Sequence, residues 1–160
     1  MIKKEHWIET LGLIPHPEGG FYKELPASSE WLTEKNRPLY TTIYFLLTKE
    51  SPSHFHQLTA DEVWFFHYGQ PLTVHELIGG EYRQTKLGLN CVQNEHLQYT
   101  VPKGSIFGST VEEGYALVSC MVAPGFTFAD FKLFEKTELL NSYPKHAEII
   151  ETLALETIKK

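Results

Sequence analysis

The chain has 160 residues, of which 42% are apolar and 13% aromatic, and its formal net charge is −6. This length and composition predict one globular domain, residues 1–160, whose core is large enough to be stable without disulfides or a structural metal. The acidic balance, without a basic run between aromatic residues, argues against nucleic-acid binding, because that binding depends on Lys and Arg neutralising phosphates. The longest apolar run, residues 43–47, is much too short to cross a bilayer.

The N-terminus and the cysteines indicate the compartment. Glu5, His6 and Glu9 interrupt the segment that follows the first lysines, which argues against a conventional signal peptide. Cys91 and Cys120 do not make a disulfide framework, and neither has a partner at metal-binding spacing. We therefore expect two reduced thiols in a soluble, cytoplasmic protein that does not enter a membrane.

The first element in chain order is a short amphipathic helix over residues 3–13, where Trp7, Ile8 and Leu11 recur at helical spacing. Two prolines and the pair Gly19-Gly20 follow, and they predict a turn before the first strand. Glu18 lies in this turn. The pattern leaves two roles open for it, a place in the turn alone or a place at a barrel mouth or subunit contact.

A series of short segments rich in Tyr, Phe, Val, Ile and Thr then predicts strands. These segments are residues 21–25, 39–47, 63–69, 72–77, 81–87, 97–102 and 115–123. Gly79-Gly80 between two of them indicates a hairpin. So many short strands at close spacing predict an all-β sandwich or barrel.

The last segment returns to a helical pattern. Ser142 is the expected cap of a final helix, Pro144 falls in its first turn, and an apolar stripe runs from Ile149 to Ile158. The fold class is therefore mainly β, with short N- and C-terminal helices.

The segment SHFHQLTADEVWFFHYGQ, residues 53–70, contains the candidate site. Side chains alternate along a strand, so His54 and His56 point the same way. Glu62 shares a face with three aromatic residues, and an aromatic face indicates the core side. The residues of that face are Glu62, Trp64, Phe66 and Tyr68.

A carboxylate buried on such a face needs partners, because an unpaired one costs several kcal/mol or takes up a proton. Two imidazoles would serve, and so would a divalent metal held by His54, His56 and Glu62 as a facial triad. The opposite interpretation places the histidines on a solvent-facing edge and Glu62 at the surface.

The order His-x-His, then Glu, then Gly69 resembles the first signature of the cupin superfamily, whose members are double-stranded β-helices, or jelly rolls. Their second signature, Pro-x-Gly followed by a last His ligand, matches Pro102 and Gly104, but Phe107 stands in place of that histidine. The resemblance thus implies a cupin barrel whose fourth ligand is missing.

Three motifs together are similar to those of an uncharacterised, RmlC-like cupin family. They are HPEGGFYKE (16–24), SHFHQLTADEVWFFHYG (53–69) and APGFTFADF (123–131), and the resemblance spans about residues 11–133. That family commonly has Trp-Gln where this chain has Ile106-Phe107. The resemblance implies a jelly roll, a pocket and a tendency to dimerise, and it brings no established activity. A jelly roll also leaves edge strands, and residues 20–25 are available to pair with a second chain, which predicts a homodimer.

Two classes of function follow from this pocket. In the first, the protein is an isomerase- or epimerase-like enzyme acting on a small sugar-like or sugar-nucleotide-like molecule. One branch uses Zn²⁺, Mn²⁺, Ni²⁺ or Fe²⁺ weakly held by His54, His56 and Glu62. The other needs no metal and uses the same residues as base and orienting carboxylate. In the second class, the protein only binds its ligand. Glu18, Trp64 and Phe107 are the expected substrate contacts.

Overall fold

The computed structural model describes residues 1–159. Thirteen strands lie in this range: β1 Ile14–Pro15, β2 Phe21–Glu24, β3 Trp31–Leu32, β4 Arg37–Pro38, β5 Thr41–Thr48, β6 Ser53–Leu58, β7 Asp61–Gly69, β8 Leu72–Ile78, β9 Glu81–Leu87, β10 Gln98–Val101, β11 Ile106–Val111, β12 Tyr115–Ala123 and β13 Phe131–Leu133. The helices are α1 Lys4–Leu11, α2 Lys136–Ser142 and α3 Ala147–Leu153. The fold is mainly β with short terminal helices, as the sequence predicts.

Two antiparallel sheets form the body of the molecule. The first has the strand order β1-β2-β5-β12-β7-β10, and the second has the order β13-β6-β11-β8-β9. Sequence neighbours such as β6 and β7 lie in different sheets, so the chain passes repeatedly from one layer to the other. β3 and β4 form a separate two-stranded ribbon. The main hydrophobic core fills the space between the two sheets.

Strand β7 shows how the sequence pattern determines the buried face. Glu62, Trp64 and Phe66 are buried, whereas His67 is exposed on the opposite face. The predicted inward face is therefore confirmed for these three residues. It is wrong for Tyr68, which packs in the separate cluster beneath α1. A register shift opposite Leu117 and Val118 inserts an extra residue in β7, and such a bulge reverses the side of the sheet that later residues face.

The helices cover the outer faces of the sheets. Trp7, Ile8 and Leu11 of α1 pack on the first sheet. Ile150 and Leu153 of α3 pack on the second sheet with Leu77. No helix within residues 1–159 combines the length and apolarity needed to span a membrane.

The C-terminal helix differs from its prediction. Ser142 is the last residue of α2 rather than the cap of a new helix, and Pro144 begins a short 3₁₀ turn before α3. Tyr143 has ψ 59°, outside the helical region, because a residue before proline is disfavoured there. The predicted helix thus begins only at Ala147 and ends at Leu153, so Ile158 lies beyond it, and α2 precedes the predicted start.

Two glycine turns have different surroundings. Gly79 and Gly80 join β8 to β9 with φ 60° and 83°, which confirms the predicted hairpin, and a Cβ on either would meet nothing within 4 Å. Gly19, with φ 111°, instead lies against β6, where a Cβ would be 1.8 Å from the carbonyl oxygen of Pro52. The turn before β2 is therefore packed too closely for a side chain at Gly19.

We expect Gly19→Ala to destabilise the protein far more than Gly79→Ala. Both substitutions impose a left-handed backbone on alanine, which costs about 1–2 kcal/mol. Only Gly19→Ala adds a collision with backbone that cannot rotate away. Urea unfolding of both variants measures the difference, and equal losses would show that the turn at Gly19 moves freely from β6.

Candidate functional site

The two sheets enclose a cavity of about 160 Å³. Its polar wall groups come from separate parts of the chain: His16 and Glu18 from the turn before β2, His56 from β6, Glu62 from β7 and Cys120 from β12. Tyr22 and Phe126 supply aromatic surface to the same cavity. The barrel thus brings two buried carboxyl groups and two imidazoles around one space, and the exposed Glu24 of β2 adds a third carboxyl group to its wall.

Glu18 and His56 form the best-defined pair in this wall. Nδ1 of His56 lies 2.8 Å from the carbonyl oxygen of His54, so this nitrogen carries a proton and donates it. In the neutral ring, Nε2 is then an acceptor, and it lies 3.1 Å from Oε2 of Glu18. The hydroxyl of Ser53 donates to Oε1 of Glu18 at 2.7 Å. This arrangement suits a carboxylic acid that donates its proton to a neutral imidazole.

The electrostatics agree with that assignment. Burial raises the pKa of Glu18 well above its usual value, the charge of Glu62 raises it further, and the Ser53 hydrogen bond opposes both. Burial lowers the pKa of His56 to about 3, against the hydrogen bond from Nδ1 to the His54 carbonyl. The raised pKa of Glu18 and the lowered pKa of His56 both favour the neutral form of each side chain. At neutral pH the proton between them therefore lies on Glu18.

Glu62 is the second buried carboxyl group of the cavity, and its hydrogen bonding is incomplete. Its side chain is 7% exposed, and no residue in the range 1–159 hydrogen-bonds to Oε2. Burial raises the pKa of Glu62 to about 7. The Cys120 thiol and the Trp64 indole N–H partly oppose that rise, because donors near the carboxyl group stabilise its ionised form. A buried oxygen without a partner is costly in a native protein. Oε2 of Glu62 is therefore available to a ligand.

The other buried carboxyl group of the barrel, Glu76 on β8, provides a contrast. Its oxygens accept hydrogen bonds from Tyr99 and Ser105, and Arg83 reaches it with Nε at 3.1 Å. Glu76 is thus fully satisfied by the protein itself and has a structural role. Burial in this barrel therefore does not by itself leave a carboxyl oxygen without a partner, as it does at Glu62.

His54 does not line the cavity with His56. Its backbone N–H and its ring Nδ1 both lie 2.7 Å from the carbonyl oxygen of Glu18. This residue therefore fastens the turn that carries Glu18 to the edge of β6. Its contribution to the site is to position Glu18.

Trp64 and Phe107, the other two expected substrate contacts, do not line this cavity. Trp64 is fully buried in the core, and Phe107 is 1% exposed. The Phe107 ring lies 4.1 Å from the His56 imidazole, between ring centroids, and 6.3 Å from Trp64. Phe107 thus packs against His56, and Trp64 packs against Phe107, in the core next to the cavity. Of the three expected contacts, only Glu18 faces the cavity.

His16 and Cys120 are wall groups with buried polar side chains, and the sequence pattern does not predict them as site residues. Nδ1 of His16 accepts the backbone N–H of Glu18 at 3.1 Å, and burial lowers the pKa of His16 to about 4, so its ring is neutral with the proton on Nε2. Cys120 is a free thiol as expected, but it is buried beside Glu62. The signal for Cys120 was its alternation with Val118 and Val122 on β12, which places it on the inner face.

The family follows from the comparison with known proteins. Residues 5–134 match the family described as Cupin superfamily (DUF985). The protein belongs to this cupin family. Among its relatives is the uncharacterized protein YML079W of Saccharomyces cerevisiae, 29% identical over 144 aligned positions that cover 77% of this chain and 71% of the yeast protein.

Solved structures agree with the family assignment. Protein SO0799 from Shewanella oneidensis is 44% identical with a TM-score of 0.92, and the match covers 98% of this cupin and all of that chain. A hypothetical protein from Leishmania major is 42% identical with a TM-score of 0.91, covering 97% and 100% of the two chains. Oxalate decarboxylase from Bacillus subtilis, at 15% identity and a TM-score of 0.59, shares only the fold, over 90% of this chain and 38% of its own.

The cupin fold implies a metal, but the side chains present do not fit one. Within residues 1–159, no three His, Cys, Asp or Glu side chains are grouped to hold an ion. Nε2 of His56 is engaged by Glu18, and His54 is turned to the Glu18 backbone. Phe107 occupies the place of the last histidine with an apolar ring. The expected triad of His54, His56 and Glu62 is therefore not assembled.

We expect Glu62→Gln to stabilise the protein increasingly as the pH rises. Below about pH 4.5 Glu62 is protonated in both states, but between 4.5 and about 7 only the unfolded state releases the proton. The wild type thus loses up to about 3 kcal/mol that the variant keeps, roughly 10 °C in melting temperature. Thermal melts of both proteins at about pH 5 and pH 8 measure this difference. A difference that does not change with pH would place Glu62 in solvent.

Proposed function

We propose that this cupin binds a small polar molecule of the sugar class in its cavity and catalyses isomerisation or epimerisation by proton transfer at a carbon next to a carbonyl group. The observation that supports this most directly is Oε2 of Glu62, which has no partner in the described chain and belongs to a group whose pKa is about 7. A general base is most effective when its pKa lies near the working pH.

The two carboxyl groups have complementary states for this chemistry. Glu62, in its ionised form, takes the proton from the substrate carbon and becomes a carboxylic acid. Glu18 holds a proton against Nε2 of His56 and gives it to the carbonyl oxygen, forming an enediol. Return of the proton from Glu62 to the former carbonyl carbon, with transfer of the neighbouring hydroxyl proton to Glu18, gives the isomer and restores both carboxyl groups. Environments that hold one carboxyl group neutral and leave the other near pH 7 are those that acid–base enzymes use.

Binding without turnover is the second candidate, and one observation favours it. Both ring nitrogens of His56 are already engaged, one with the His54 carbonyl and one with Glu18. An imidazole held in this way is not free to act as a base. In this case the cavity would recognise its ligand through Glu18 and Glu62 and leave it unchanged.

Deuterium exchange separates the two candidates. Incubation with a panel of aldoses and ketoses in D₂O should incorporate deuterium at the carbon next to the carbonyl, as seen by NMR. The rate should rise with pH through about 7 as Glu62 ionises, and Glu62→Gln should remove the exchange. Glu81→Gln, which changes an exposed hairpin residue, should retain it. Saturable binding of a panel member with no exchange at any pH would favour the binding role.

We also propose that the protein is a homodimer. The strand expected to pair with a partner, β2, is flanked by β1 and β5 over Phe21 and Tyr22. Within the described residues, Lys23 and Glu24 pair only with β5, and β1 has just two residues, so this edge of the sheet is only partly covered. Edge strands of this kind need a cover. Light scattering at micromolar concentration should give twice the mass of the chain, and the mass of one chain would contradict the proposal.

A further inference from the structure

The cavity wall carries acidic groups without cations to balance them. Glu18, Glu24 and Glu62 all line it, and within residues 1–159 no Lys or Arg side chain does. The two imidazoles of the wall add no positive charge, because burial lowers the pKa values of His16 and His56. A phosphate or carboxylate entering this space would lose its water and find no cation to replace it. The wall therefore disfavours anions, including sugar nucleotides.

The groups that are present are those that recognise an organic cation. Oε2 of Glu62 is buried without a partner among the described residues, so it can accept a hydrogen bond from a ligand donor. Hydrogen bonds between a carboxylate and an ammonium group are stronger than those between neutral groups. Tyr22 and Phe126 place aromatic rings in the same wall, and the face of an aromatic ring attracts cations.

We propose that the cavity takes a small organic cation with a primary ammonium group, such as an amino sugar, and that this ammonium group donates a hydrogen bond to Oε2 of Glu62. The inference rests on the proposed function only in placing the ligand in this cavity. It narrows the ligand from polar molecules in general to amines, and it excludes phosphorylated and carboxylated compounds.

Three two-carbon compounds test the charge preference directly. Ethanolamine, ethylene glycol and glycolate share a hydroxyl group and differ in the other end, which is an ammonium, a hydroxyl or a carboxylate group. The indole N–H of Trp64, buried beside Glu62, supplies an NMR signal, which Trp64→Phe identifies by its loss. Ethanolamine should shift this signal saturably, with an affinity about tenfold or more above that of ethylene glycol, and glycolate should leave it unchanged.

Matched variants assign the preference to Glu62. Glu62→Gln keeps the shape of the side chain and removes its charge, so ethanolamine should fall to the affinity of ethylene glycol. Glu81→Gln removes the same charge from an exposed hairpin and should keep the full preference. Thermal melts of each variant confirm that it is folded. Should Glu62→Gln unfold, Glu24→Gln, at an exposed wall residue, is the second variant, and it should weaken ethanolamine binding without affecting folding.

Three results would overturn the inference: equal affinity for ethanolamine and ethylene glycol, binding of glycolate, or no saturable shift with ethanolamine. None of these depends on turnover, because the NMR titration measures binding alone. Deuterium exchange with neutral sugars but no ammonium preference would leave the proposed catalysis standing and remove the amine. Ammonium binding with no exchange on any sugar would support the amine ligand and contradict the proposed catalysis.

Discussion

The carbonyl oxygen of Glu18 is the contact on which the site depends. It accepts hydrogen bonds from the backbone and the ring of His54, both at 2.7 Å, and so joins the turn before β2 to strand β6. Gly19 allows this approach because a side chain there would strike Pro52. Only with the turn in this place does the carboxyl group of Glu18 meet His56 and Ser53. A backbone contact therefore sets the position of the Glu18 carboxyl group.

Glu18 and Glu62 are exceptions in the barrel interior, where most buried side chains are apolar. The surrounding core is apolar, and burial raises the pKa values of both carboxyl groups. Glu76 shows that this barrel can bury a carboxyl group with every oxygen satisfied, through Arg83, Tyr99 and Ser105. The incomplete satisfaction of Glu62 is thus local to the cavity. Sites of function are where proteins retain groups that lower stability.

The sequence was informative where a regular period controls the structure. Alternation along β7 predicted that Glu62 and Trp64 face inward, and Gly79-Gly80 predicted the hairpin. It failed where the outcome depends on contacts between distant segments. Alternation predicts that His54 and His56 face the same way and share a role, but His54 binds the backbone carbonyl of Glu18 and His56 binds its carboxyl group. The bulge that redirects Tyr68 leaves no periodic pattern in the sequence, and neither does the contact between the Glu18 turn and β6.

The division of the site between a turn and a sheet affects how the protein can evolve. Glu62 lies in β7, which pairs with β10 on one side and β12 on the other, so the backbone around it is fixed by the ladders of the first sheet. Glu18 lies outside every ladder, in a turn of the N-terminal segment. An exchange of the residue at position 18 thus alters this part of the cavity wall without disturbing any strand pairing. The cavity wall can therefore vary at position 18 while the strand that carries Glu62 stays unchanged.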